Sequence, residues 1–502
     1  MSPTPASAGK PRGKTAPSTP SLRIRLYRHG LGDCFLLRFG KPDGDTFNML
    51  IDCGLISVAK DAKAKMQAVV QDIGDVCANR IDVVVMTHEH WDHASGFSTQ
   101  QAQALFDKIE VAEVWYAWTE DPQNPLGVRL REERAKKVEA LAAAAQALGA
   151  EHNSPLAMAR AAALQSVLQF FGASDNPGHA PAIGKTRGAF EYLLRRSGVK
   201  PRFLKPGKTP ITLAAVPGMR IYVLGPPQDE ALIKKSAPTK SGREVYEMAA
   251  EADLADNVRA AFKRMAAAPD GIADNHDDCP FESTWHRQPA TSSTPAGSAA
   301  LQELYDNTWN RAGEAWRQIS DDWTNVAETL ALNLDTHTNN TCVVLAFELI
   351  DSGDVFLFPA DAQVGNWLSW QDLQWTVRDD VQARQVTASE LLRRTVFYKV
   401  GHHGSHNATL RALGLEQMQS EELTAYIPVL REEARKNRWM GMPFEPLVQR
   451  LREKTQGRLL QSDDLQLPSD HDLRALSPKA AKAFKKAVVL GPGKLYVEFS
   501  YA

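Results

Sequence analysis

The sequence predicts a mixed α/β fold in which one core carries large helical insertions. Apolar, strand-like segments recur at both ends of the 502-residue chain, with long helical stretches between them. Domains strung in series would not return to strands in this way. In addition, Ile81–Met86 is a continuous apolar run, as expected of a strand buried on both faces, and it stops at Thr87 just before a cluster of histidines.

Taken in order, Leu22–Tyr27 alternates apolar and basic residues, Cys34–Phe39 is mostly apolar, and Phe47–Asp52 is a further buried strand after a Pro-Asp-Gly turn. Residues 58–78 read as a helix and Val111–Trp118 as a strand. Residues 127–172 read as helices, charged over Arg129–Glu139 and then rich in alanine. Strands return at Ile211–Leu213 and Met219–Leu224. Residues 228–265 and 299–330 again read as helical. Between them Ala266–Ser298 is polar and rich in Pro, Ser and Thr, which predicts a long mobile loop. Strands follow at Cys342–Leu349, Val355–Phe358 and Thr395–Val400. Residues 410–455 and 478–486 read as helical, and Lys494–Tyr501 as a last strand. The insertions fall near 120–205 and 228–335, within one unit spanning 21–502.

The formal net charge of −2 excludes a globally basic nucleic-acid coat, although not phosphate chemistry, because bound metal ions supply positive charge locally. Five scattered cysteines (Cys34, Cys53, Cys77, Cys279, Cys342) with no CxxC pair exclude a disulfide framework and a zinc ribbon. They fit reduced thiols in a cytoplasmic protein. Apolar stretches such as Thr341–Ile350 are too short to cross a bilayer, so no membrane partner is expected. Residues 1–20, rich in Pro, Ser, Thr and Gly, read as a disordered tail.

The chemistry concentrates in His88-Glu89-His90-Trp91-Asp92-His93. Imidazole nitrogens and carboxylate oxygens suit zinc or manganese, and one or two such ions generate hydroxide near neutral pH. Alternation by two sends His88 and His90 to the same side of an extended segment. Asp92 and His93 follow within one turn and can face a second ion. Four candidate ligands in six residues at a strand-to-loop junction outweigh a chance surface cluster.

In order, Asp52, the HxHxDH of residues 88–93, an aspartate after a later strand and a histidine after another resemble the metallo-β-lactamase superfamily. The closer resemblance is to the soluble metallohydrolase domain of ComEC-type DNA-uptake proteins. It rests on Gly30-Leu31-Gly32-Asp33, Ile51-Asp52-Cys53-Gly54, the motif from Thr87, Asn339-Asn340-Thr341-Cys342, Ala360-Asp361-Ala362 and Lys399-Val400-Gly401-His402-His403-Gly404-Ser405. The resemblance covers about 22 to 460 and implies a four-layer αβ/βα sandwich holding two divalent metal ions. By that resemblance His88 and His90 bind the first ion. Asp92, His93 and His402 bind the second, and Asp361 bridges the two and positions the hydroxide. Asp52 and Asp33 brace the ligands from behind. His403 is a neighbour, it or a water supplies a leaving-group proton, and His402 is preferred to it as ligand without the sequence deciding between them. Ser405, His406 and Asn340 are expected near substrate.

The chain departs from the family pattern in places. A further metal-binding histidine is common between the HxHxDH motif and the bridging aspartate. His152, His179, His276, His286 and His337 lie in that interval, but none has a strand-end context. Cys342 stands where serine is common, and Met442 where a histidine is usual. No membrane channel accompanies the domain, so the import role does not transfer. The expected function is a phosphodiesterase or nuclease that attacks DNA or RNA with a hydroxide held between the metals. Rival readings are a thioester, lactone or lactam hydrolase using the same site, and an effector whose insertions bind a regulatory protein and gate the metals. A flavodiiron-type oxidoreductase is disfavoured because that branch carries glutamate where His90 stands. The basic runs Arg129–Lys137, Arg431–Arg438, Arg450–Lys454 and Lys479–Lys486 read as solvated faces, with a nucleic-acid groove as the alternative.

Overall fold

A computed structural model of the chain describes residues 20–56, 61–150, 155–173, 184–235, 303–304, 307–308, 322–378, 383–436, 439, 442–464 and 466–501. The expected tail, apart from residue 20, and the expected loop at 266–298 lie outside the described residues. The strands, numbered along the chain, build two large sheets. The first runs β16 (Val488–Leu490), β17 (Tyr496–Tyr501), β1 (Leu22–Tyr27), β2 (Cys34–Gly40), β3 (Thr46–Cys53), β4 (Arg80–Val85), β5 (Glu110–Ala117), β6 (Lys200–Leu204). The second runs β15 (Leu459–Gln461), β14 (Thr424–Ile427), β13 (Thr395–Lys399), β10 (Val355–Phe358), β9 (Val344–Leu349), β8 (Val216–Gly225), β7 (Ile211–Leu213). A separate hairpin pairs β11 (Gln374–Arg378) with β12 (Ala383–Thr387).

The period-two alternation of strands sorts the apolar residues into layers. Ile24, Leu37, Ile51, Val85, Ile221, Phe347, Phe358 and Phe397 meet in the core between the sheets. The alternate residues Leu36, Leu50 and Val84 face outward onto Met66, Val70 and Ile73 of the helix Ala62–Val76. On the far side Tyr222, Ala346, Leu357 and Tyr398 face a second helical layer. That layer includes Leu141 of the helix Pro125–Ala150, Leu334 of the helix Asp322–Asn340 and Trp367 of the helix Val364–Ser369. Helices, sheet, sheet and helices make the four-layer αβ/βα sandwich.

The layers place four strand ends together. In the first sheet β3 and β4 are parallel neighbours, and in the second β10 and β13 are. Their carboxyl ends carry Asp52, Thr87–His93, Asp361 and His402–His403 respectively. The Thr87 carbonyl accepts from the Val343 amide at 3.0 Å and ties the HxHxDH segment to the start of β9. Two glycines permit the closest packing. Gly32 has φ +150°, and a Cβ there would lie 2.4 Å from the Gly54 carbonyl oxygen. At Gly54 it would lie 2.4 Å from the Asp92 carbonyl carbon. With both open, the Asp33 amide donates to the Asp92 carbonyl at 3.0 Å.

Several elements differ from the sequence expectation. The stretch 410–455 contains β14 between its helical parts, because a four-residue strand buried on both faces shows no period. β6 closes the first insertion at 200–204. Its residues Lys200, Pro201 and Arg202 are exposed at a sheet edge, where no apolar alternation is required. Helical structure near 330 runs on to Asn340. By contrast, Trp367, Trp370 and Trp375 are core residues, the ordinary place for such side chains, while Trp285, Trp309 and Trp316 lie outside the described residues. Among the described residues no helix is long and apolar enough to cross a membrane.

Asn366 latches the helical layer near the site. Its amide nitrogen donates to the Asn340 and Cys342 carbonyls, each at 3.1 Å, and its oxygen accepts from the Trp370 indole at 3.0 Å. Asn366→Ala leaves these buried groups without partners and is expected to lower the unfolding free energy by about 1–3 kcal/mol. Urea denaturation of the metal-free protein measures it. A loss under about 0.5 kcal/mol, the size of an ordinary surface change, would show that the latch contributes nothing.

Candidate metal centre

Hydrogen bonds fix which nitrogen of each histidine is bare. Asp52, with φ 54°, is one of several residues here in the left-handed region that is uncommon outside glycine, with Ala360, His402 and His403. Its Oδ1 accepts from the Thr87 amide at 2.8 Å. Its Oδ2 accepts from Thr87 Oγ1 at 2.6 Å and from His93 Nδ1 at 2.8 Å. His93 therefore carries its proton on Nδ1 and keeps the Nε2 lone pair. The Thr87 hydroxyl proton goes to Asp52, so its oxygen accepts from His88 Nδ1 at 3.1 Å, which leaves His88 Nε2 bare as well. His403 Nδ1 donates to the Pro428 carbonyl at 2.7 Å, so its Nε2, 3.0 Å from Asp92 Oδ2, is the nitrogen left for a cation once its proton is lost.

The bare nitrogens converge on two carboxylates. His93 Nε2 lies 3.1 Å from Asp361 Oδ2, and His403 Nε2 lies 3.0 Å from Asp92 Oδ2 and 3.5 Å from Asp361 Oδ2. Asp33, His93, Asp361 and His403, all buried, each offer a ligand atom, and these atoms lie within 4.8 Å of one another. Beside them His88 Nε2 and His90 Nδ1 are 3.0 Å apart. Burial pushes His90 down to about 3 and His88 well below the usual imidazole range, which keeps both neutral. Burial would also lower His93 and His403, but Asp361, Asp92 and Asp33 outweigh it and raise both. Asp361 is held well below the carboxylate range against its burial by His93, His403 and Lys399.

A divalent cation fits this arrangement. Asp361 Oδ2, Asp92 Oδ1, His93 Nε2 and His90 Nε2 are buried without a hydrogen-bond partner, a costly state for polar atoms that a metal ion relieves. Lys399 is fully buried beneath them. Its ammonium contacts Asp33 Oδ2, donates to the Ala360 carbonyl at 2.9 Å and lies 3.3 Å from Asp361 Oδ1. One oxygen of Asp361 is thus tied down while the other faces the histidines. Sequence reasoning quoted Lys399 within its motif but gave it no role.

Of the adjacent pair His402 and His403, His403 is the one within the group of converging ligand atoms. Gln363 Nε2 lies 3.2 Å from Asp335 Oδ2 and 3.2 Å from His402 Nδ1. Its Oε1 accepts from Asn407 at 2.9 Å. A carboxylate only accepts, so the amide orientation is fixed, and His402 Nδ1 must accept too, which puts the His402 proton on Nε2. His402 thus turns its Nδ1 to Gln363, whereas His403 turns its Nε2 to Asp92 and Asp361. Asn340 is buried in the fold. Its amide donates to the Ile233 and Lys235 carbonyls at 3.0 and 2.9 Å and its oxygen accepts from the Asn366 amide, so its polar atoms hold the fold together. Ser405 bonds to Asn407, and His406 is exposed near Phe444. Asp33 lies within the group of candidate ligand atoms and pairs with Lys399, while Asp52 bonds to Thr87 and His93.

His337 faces Lys137, with Nδ1 3.3 Å from its ammonium, whereas His152, His179, His276 and His286 lie outside the described residues. Met442 and Trp439 pack against the apolar core. Within the run Arg129–Lys137, Arg134 and Lys137 are buried while Arg129, Glu132, Ala135 and Lys136 stay exposed. Arg131 bonds to the Thr119 carbonyl, Arg134 reaches Glu89 and Glu120, and Arg129 pairs with Glu230.

Residues 27–158 match the family model of the metallo-beta-lactamase superfamily. The match contains Asp33, Asp52 and His88–His93, while Asp361, Lys399, His402 and His403 lie beyond it. No curated protein matches the chain.

Metal binding should depend on pH with a definite sign. In the metal-free protein the raised pKa values of His93 and His403 contribute stability in full below about pH 6.5, the unfolded imidazole value, and lose it as pH rises through the folded values. A cation needs both nitrogens bare, so its stabilisation runs the opposite way. The Tm difference between zinc-loaded and metal-free protein is expected to widen from about pH 6 to about pH 8. A difference that stays flat would rule out both histidines as ligands.

Proposed function

We propose that the chain is a hydrolase that works with two divalent cations, zinc or manganese, on a phosphodiester, with nucleic acid as its substrate. The observation that carries this reading is the convergence of the bare nitrogens of His93 and His403 on Asp92 and Asp361, beside the His88–His90 pair. His88, His90 and Asp361 would hold one ion, and Asp92, His93, His403 and Asp361 the other. When bound, such a pair supplies a nucleophilic water at neutral pH and positive charge against the oxygens of the substrate.

The chain's own residues do the rest. Lys399 holds Asp361 Oδ1, which leaves Oδ2 to face His93 and His403. Asp52 and Thr87 hold His88 and His93 in the ligating tautomer. His402, oriented by Gln363, presents an Nε2–H that can give its proton to a departing oxygen. An alkoxide leaves poorly without a proton, whereas a thiolate, with a conjugate acid near pKa 8.5 (an approximate model value), leaves without one. The donor thus favours a phosphodiester over a thioester. The order of the ComEC-like motifs supports nucleic acid as the substrate class.

The test is turnover of linear and circular DNA, RNA and bis(4-nitrophenyl) phosphate with added manganese or zinc, alongside metal content. His403→Ala should lose both metal and activity. His402→Ala should keep its metal and lower kcat by about 10²–10⁴-fold, the usual contribution of a positioned acid. Loss of metal in His402→Ala would restore that residue as the ligand. Thioester cleavage without diester turnover would replace the substrate class.

A further inference from the structure

Glu89 stands between two of the metal-site histidines, and by alternation its side chain leaves the segment on the other side. There it enters a buried cluster of two carboxylates and two guanidinium groups. Arg134, in the helix Pro125–Ala150, places Nη2 2.5 Å from Glu89 Oε2 and 3.3 Å from Glu120 Oε1. Arg187, in the helix Lys185–Phe190, places Nη1 2.9 Å from Glu89 Oε2 and 2.5 Å from Glu120 Oε2. Each arginine touches both carboxylates, and the two charges of each sign balance. Glu120 is held below the usual carboxylate range because Arg134 and Arg187 overcome its burial.

The same insertion reaches His90 a second way. Its turn Gln169–Phe171 sets Phe171 edge-on to the His90 ring at 4.8 Å and Phe170 at 5.5 Å. His93 and His88 are oriented by Asp52, directly or through Thr87. His90 contacts no carboxylate in that way, and the residues behind it are those of the insertion. The first metal position also lacks, among the described residues, the third histidine common in the family pattern, so its affinity depends more heavily on how His88 and His90 are held.

We infer that the insertion between β5 and β6 is a built-in brace for the first metal position, with Arg134 and Arg187 acting through Glu89 as positioning residues. A clamp of one buried and one half-buried guanidinium on a residue flanked by both ligands restricts the segment at the point where it must present two nitrogens to one ion. The inference rests on the two-ion reading but not on the choice of substrate.

The experiment is zinc titration against chelators of graded strength, with metal content per chain and the Tm of the metal-free protein measured in parallel. Glu89→Gln keeps the shape and removes the charge. Arg187→Lys keeps the charge and removes the fork. Both should weaken one of the two ions by about 10- to 100-fold, the usual cost of losing a residue that orients a ligand, while the other ion is held as in the wild type. Arg450→Lys, whose partner Glu416 lies outside this cluster, should change neither ion. If Arg187→Lys fails to fold, Glu89→Gln decides alone. Wild-type affinity for both ions in Glu89→Gln, or parallel loss of both, overturns the brace. A wild-type chain that takes up a single ion overturns the two-ion reading and the brace with it.

Discussion

The carboxylate of Asp52 is the constraint on which the centre depends. It accepts three hydrogen bonds, two from Thr87 and one from His93. Through them it sets the tautomer of His93 directly and that of His88 through the Thr87 hydroxyl. It lies at the end of β3, and both its partners lie just past the end of the parallel neighbour β4, so sheet register delivers the contact. Gly32 and Gly54 let the surrounding loops close onto the Asp92 backbone. Fold and site chemistry therefore meet in one buried group, and shifting β3 by a residue would turn Asp52 to the other face of the sheet.

Charge explains why the centre calls for a cation. Asp33, Asp52, Asp92 and Asp361 are buried within a few ångströms of the histidines, and Lys399 offsets part of their charge. The carboxylates also raise His93 and His403 despite their burial, which favours protons there in the metal-free protein and offsets more of that charge. A divalent ion replaces those protons at nitrogens already aimed by Asp52 and Pro428. Lys399 keeps Asp361 from rotating both oxygens toward the ion, which sets how that carboxylate can be shared.

Most of this was legible where the signal is local. The alternation of Leu22–Tyr27 and the apolar run of Val355–Phe358 mark their strands to the residue, and the six residues 88–93 announce metal chemistry by spacing alone. What was not legible depends on distant partners. His402 and His403 are adjacent and identical in type. Their roles diverge because one ring meets Gln363, 39 residues away in sequence, and the other meets the Pro428 carbonyl, 25 residues away. Asn340 looked like a substrate contact because of its motif, but the carbonyls that claim it come from residues 233 and 235. β14 and β6 were missed for the opposite reason, one being too short and the other too exposed to carry a period.

The basic run Arg129–Lys137 shows how the same composition supports opposite structures. Arginines interspersed with glutamates at helical spacing usually indicate a solvated face. Here the acceptors that matter, Glu89 and Glu120, are not on that helix, so the pattern along the helix cannot reveal which way it turns. Once Arg134 is drawn inward, the segment best suited by composition to grip a polyanion instead holds the loop that carries His88 and His90. A phosphodiester bound at this centre would then be gripped chiefly through the ions and the donors around them. The insertion would govern affinity indirectly, by keeping the first ion in place.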